Sequence, residues 1–112
     1  MMTTFREFRD GPAGDLACRM GLDISGCISW RHFTDMAVAY NNCEGRLVEA
    51  GRRLYGIAST GEKPVVCALL AAADFAWLAD ELCDHPTSLW WQLERTCGVH
   101  ARAVAAAILR QD

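Results

Sequence analysis

Apolar positions recur along this chain every three or four residues, the period of a helix buried on one face. The clearest example is 44–57, where Leu47, Ala50, Gly51, Leu54, Ile57 and Ala58 form one stripe and Arg46, Glu49, Arg52 and Arg53 lie off it. Glu49 and Arg53 have the spacing and order of a favourable i,i+4 ion pair. Residues 27–40 place Ile28, Phe33, Met36, Ala37 and Tyr40 at the same period, with Ser25 as the expected cap and Asn41-Asn42 closing this helix and able to cap the next. Residues 12–21 predict a short helix with Leu16, Ala17 and Met20 inward, stopped at Gly21.

The most apolar stretch, PVVCALLAAADFAWLA from Pro64 to Ala79, carries a single charge, Asp74. Preceded by the turn-like Ser59-Thr60-Gly61-Glu62-Lys63, it predicts one central helix over about 64–83. Leu70 and Trp77 would share its inner side, and Asp74 and Glu81 its wet face. Pro86 then opens a helix to Cys97, Gly98 breaks it, and 100–110 forms a last helix with Val104, Ala107 and Ile108 inward. Thr3 to Phe8 is too short a pattern to assign, so residues 1–10 are read as an extended or frayed arm. The pattern predicts an all-α fold: one domain over 1–112, a compact bundle of five or six short helices around 64–83.

Composition supports a folded domain. Hydrophobic residues make up 52% of the 112, against 22% charged, far from the signature of disorder. The net charge of -3 gives no general attraction to nucleic acid or anionic lipid. No run reaches the roughly eighteen apolar residues of a membrane span, and Asp74 interrupts the longest. The first residues, MMTTFREFRD, lack the apolar core of a secretory signal, and three of the six cysteines, Cys67, Cys83 and Cys97, fall on or at the ends of apolar helical patterns. Together these predict reduced thiols and a cytoplasmic protein.

Candidate chemistry is sparse. Cys83, His85, Cys97 and His100 are zinc-type ligands, but a helix of some ten residues between the pairs, at 1.5 Å rise per residue, would hold them about 15 Å apart. Cys97 and His100 could approach across a turn, yet no orienting carboxylate or oxyanion donor accompanies them. No phosphate-cradling or metalloprotease motif is present. The reading is therefore non-enzymatic, with no metal and no cofactor.

Two binding readings remain. Trp90 and Trp91 are adjacent and lie about 100° apart on a helix, so one of them faces outward as a candidate anchor for a protein partner or a second copy. This predicts a non-catalytic interaction, adaptor or regulatory module. The alternative is a DNA-binding regulator. LERTCGVHARAVAAAI resembles the helix-turn-helix pattern: Gly98 opens a turn and Val104 follows six positions later, although Glu94 stands where that pattern has a small residue. The resemblance implies a reader element within 89–108 that contacts DNA through His100, Arg102 and Arg110. Arg46, Arg52 and Arg53 could add phosphate contacts. A weaker echo of the same turn occurs from Leu16-Ala17 to Gly21-Leu22.

Overall fold

In the computed structural model, which describes residues 5–59, 61–82 and 98–109, the chain is all-α, with seven helices among those residues. They are α1 (Phe5–Asp10), α2 (Pro12–Arg19), α3 (Trp30–Asn41), α4 (Arg46–Ile57), α5 (Glu62–Ala72), α6 (Ala76–Leu82) and α7 (Gly98–Leu109). The predicted helix at 86–97 lies outside the described residues.

The N-terminal arm is a helix from Phe5. A six-residue helix has no independent stability. Its order comes from burying Phe5 and Phe8, one turn apart, against the first turn of α3. Phe8 lies 4.8 Å from Trp30 and 5.8 Å from Phe33, and Phe5 meets Trp30 edge-on at 5.0 Å. Such tilted and edge-to-face pairs add to the apolar burial. Arg9 completes the joint by donating from Nη1 to the Cys27 carbonyl at 3.0 Å.

Helix α3 starts later than the periodicity indicates. Ser29, not Ser25, is its N-cap, with Oγ accepting from the His32 N–H at 3.1 Å. Ser25 belongs to a preceding turn, where its N–H donates to Asp23. Ile28, ahead of the cap, is therefore exposed rather than inward, while Phe33 and Ala37 are buried as expected. At the far end Asn41 caps the next helix. The N-cap of α4, Gly45, has no side chain to offer, and Asn41 Oδ1 accepts from the Val48 N–H at 3.1 Å in its stead.

Helix α4 buries Leu47, Ala50, Gly51 and Leu54, but Ile57 at its last turn is 71% exposed. A Cβ at position 51 would stand 3.4 Å from both Leu70 methyls, so α4 already rests on α5 without one. Helix α5 is buried on every side from Pro64 to Ala72, which is why its sequence shows no polar face. Its most extensive neighbour is α7, where Ala103, Val104, Ala106 and Ala107 are buried and small side chains let the two backbones approach.

The central segment is two helices, not one. Asp74, at φ +77, stops α5 with a left-handed residue. The Phe75 N–H bonds the Leu70 carbonyl at 2.8 Å and the Asp74 N–H bonds that of Ala71 at 3.2 Å, the paired reversed bonds of a Schellman end. Helix α2 ends in the same way: Leu22 N–H to Ala17 and Gly21 N–H to Cys18, both 2.9 Å, with Gly21 at φ +87. One helix thus uses glycine at the left-handed position and the other aspartate.

Candidate interaction surface

Of the two tryptophans expected at an interface, Trp90 and Trp91, neither lies within the described residues. Trp30 is buried in the aromatic joint. Trp77 is 54% exposed, contrary to its expected place beside Leu70 in the core. The cause is the bend at Asp74. In an unbroken helix, seven residues would return Trp77 almost to the azimuth of Leu70. Restarting at Ala76 turns Leu78 inward instead and leaves the indole outside.

Trp77 stands one turn before Glu81 on α6, and the Glu81 carboxylate accepts from Arg52 Nη2 of α4 at 2.6 Å. An exposed aromatic residue is thereby set one turn from an ion pair that joins two helices. Periodicity found Arg52 on an exposed flank, but a partner 29 positions away leaves no local trace in the sequence.

The other candidate cations divide into two groups. Arg102 is exposed on α7, with Nη2 3.4 Å from Glu7 of α1, so Arg52 and Arg102 are both engaged by carboxylates. Arg46 and Arg53 are exposed on α4 and form no ion pair among the described residues; the expected Glu49–Arg53 pair is not made. His100 is half-buried in the first turn of α7, and Arg110 lies outside the described residues. Gly98 is left-handed at φ +63 and Val104 is fully buried, but the helix expected before Gly98 lies outside the described residues. The echo at Gly21 is no such corner, because the next helix begins only at Trp30.

The clefts on the described surface include two of different size. The wider, about 340 Å³, lies between the α1–α2 corner and α7 and is lined by Glu7, Asp10, Gly11, Pro12, Arg102 and Ala103. Its charges are matched: Glu7 faces Arg102, and Arg9 donates to both oxygens of Asp10 at 2.8 and 3.1 Å. Those bonds from Arg9 hold the Asp10 carboxyl below its usual range. The smaller, about 90 Å³, is lined by Arg19, Ala50, Arg53, Leu54 and Ile57.

Beside the smaller cleft, Ser59 and Glu62 satisfy each other reciprocally at the start of α5. The Ser59 N–H donates to Glu62 Oε1 at 2.9 Å, and the Glu62 N–H donates to Ser59 Oγ at 3.2 Å. The Ser59 N–H lowers the Glu62 carboxyl below its usual range. Partial burial opposes this, and the Ser59 hydroxyl, Arg19 and His100 reinforce it. Arg19 Nη1 lies 3.2 Å from Glu62 Oε2. Ser-x-x-Glu at 59–62 is a readable capping signature where periodicity alone suggests only a turn.

Among the described residues, no three His, Cys, Asp or Glu side chains gather as a metal site. Cys18, Cys27, Cys43 and Cys67 are not in disulfides. Burial pushes the Cys27 thiol up, the reverse of what a nucleophile needs, and its Sγ rests 3.4 Å from Met36 Sδ. Among the same residues no helix is long and apolar enough to cross a membrane. No family model, no curated protein and no solved structure matches the chain.

Proposed function

We propose that this is a non-catalytic protein–protein interaction module of adaptor or regulatory type, working in the cytoplasm, where its thiols stay reduced. The observation that carries this reading is Trp77, an indole 54% exposed on a short helix, one turn from the Arg52–Glu81 ion pair. Tryptophan concentrates binding energy when a partner removes it from water, and an ion pair beside it supplies a polar rim. The partner is another protein or a second copy of this chain. The clefts contribute no arrangement of nucleophile, base and oxyanion donor, and two of the arginines suited to phosphate contact, Arg52 and Arg102, already face carboxylates.

The test is a photoreactive amino acid placed at position 77 in cells, with position 31, exposed on α3, as the control. A discrete cross-linked protein from position 77 alone is the expected result. Absence of a discrete product, together with salt-sensitive duplex DNA binding that an Arg46/Arg53 double variant loses, would replace this reading with the DNA-binding one.

A further inference from the structure

We propose that the cleft between Arg19 and Arg53 binds a carboxylate carried on a short apolar stem, either a free short-chain acid or the side chain of a glutamate. The site lies on the flank of α4 that faces α2, whereas Arg52 on the other flank reaches α6, so it stands independently of the Trp77 surface.

Charge comes first. Arg19 and Arg53 both line a space of about 90 Å³, and one carboxylate, Glu62, pairs with Arg19. Glu62 takes a single contact from Arg19, one of the five N–H groups a guanidinium carries, and the Arg19 side chain remains 46% exposed. Arg53 has no carboxylate within ion-pair distance among the described residues. The cleft therefore holds uncompensated positive charge on a chain whose net charge is -3. The contacts of Glu62 are to Arg19 and Ser59, not to Arg53.

Shape and polarity narrow the ligand. The floor is Ala50 and Leu54, both buried, and one wall is Ile57, 71% exposed at the end of α4. An exposed isoleucine lining the same cleft as two arginines suits a ligand with an anionic head and a few apolar carbons behind it. A phosphate would satisfy the arginines and leave Ile57 wet. An amine would be repelled. The volume is far below the roughly 300 Å³ at which pockets for drug-sized ligands begin, which excludes a nucleotide or a fused-ring acid. Bidentate pairing between arginine and carboxylate supplies the directional part of recognition.

The experiment follows the arginine side-chain N–H and isoleucine methyl NMR signals of the full chain. The probes are acetate, butyrate, inorganic phosphate and the capped peptides Ala-Glu-Ala and Ala-Gln-Ala. Butyrate or the glutamate peptide should shift Arg19, Arg53 and Ile57 saturably, with butyrate binding more tightly than acetate. The glutamine peptide should shift none of them. Arg53→Gln should weaken binding about tenfold, the factor expected when one charge-assisted contact is lost. Ile57→Ser should abolish the difference between butyrate and acetate. Both residues are exposed, so the backbone spectrum should persist in each variant. Tighter binding of the glutamate peptide than of butyrate assigns the site to a partner's side chain, and the reverse order assigns it to a free acid. No saturable shift with either would overturn the proposal, as would phosphate binding as tightly as butyrate or full affinity in Arg53→Gln.

Discussion

The Tyr40 hydroxyl donates to the Met20 carbonyl at 2.9 Å, and the same oxygen stands 2.7 Å from where a Cβ on Gly21 would lie. One phenol therefore both satisfies the end of α2 and closes the space above its left-handed glycine. Tyr40→Phe should cost about 1 kcal/mol by leaving that carbonyl unpaired. Gly21→Ala should cost about 2 kcal/mol or more, from left-handed strain plus the contact with the phenol. In a Tyr40→Phe background the Gly21→Ala cost should fall by about 0.5 kcal/mol or more, because the obstructing oxygen is gone. Urea titration of the four proteins measures the coupling, and strict additivity would contradict it.

Asp74 occupies the same backbone position in α5 that Gly21 occupies in α2. Asp74→Gly should stabilise the fold by about 0.5–1 kcal/mol, since glycine adopts a left-handed conformation without steric cost. Asp74→Ala keeps a Cβ and should bring no such gain. A denaturation midpoint lowered by the glycine variant would contradict the assignment of this turn.

Asn41 and Asn42 are neighbours of the same chemistry with different work. Asn41→Ala should cost about 1 kcal/mol through the lost cap on Val48, whereas Asn42→Ala, exposed and without a bonded side chain, should stay within about 0.5 kcal/mol. Equal losses in thermal or urea unfolding would count against the cap.

The Glu62 carboxyl is lowered in the folded chain, mainly by the Ser59 N–H. Its contribution is fully present above the ordinary carboxylate range, declines as pH falls through that range, and is gone below the folded-state value. Glu62→Gln keeps an oxygen for the Ser59 N–H but removes the charge. The variant should be less stable than the natural chain near neutrality, and the gap should narrow as pH falls through the ordinary carboxylate range. A gap that is constant with pH would show that the carboxylate's charge plays no part.

Leu70 and Trp77 separate core from surface. Leu70→Ala should cost about 2–5 kcal/mol, because the side chain is fully buried between α4 and α5. Trp77→Ala should leave the fold standing. The reverse order of stability losses would mean that the indole is a core residue after all.

What the sequence reveals depends on whether a signal is periodic. Leu16, Ala17 and Met20, then Leu47, Ala50 and Leu54, and then Val104 and Ala107 are all buried as their spacing predicts. Helix α1 escapes notice because two phenylalanines one turn apart are too few to define a period, and its order comes from Trp30 and Phe33. The break at Asp74 is equally hidden. An aspartate on the wet face of a helix and one in a left-handed cap fit the same string of letters. Trp77 was misplaced for that reason alone. The exposed flank carrying Arg46, Arg52 and Arg53 was readable, but Glu81 and the cleft with Arg19 come from tertiary packing.

The all-round burial of α5 has a consequence for the chain before it folds. From Pro64 to Ala73 there is no charge, and Lys63 and Asp74 bracket the run. An uncharged segment containing Val65, Val66, Leu69 and Leu70 is prone to pair with copies of itself whenever it is exposed, and flanking charges act as gatekeepers against this. Replacing Asp74 with glycine would relieve backbone strain yet extend the uncharged stretch to Ala79. An aspartate at the left-handed position thus carries a backbone cost that glycine would not, and it places a charge at the edge of the uncharged run.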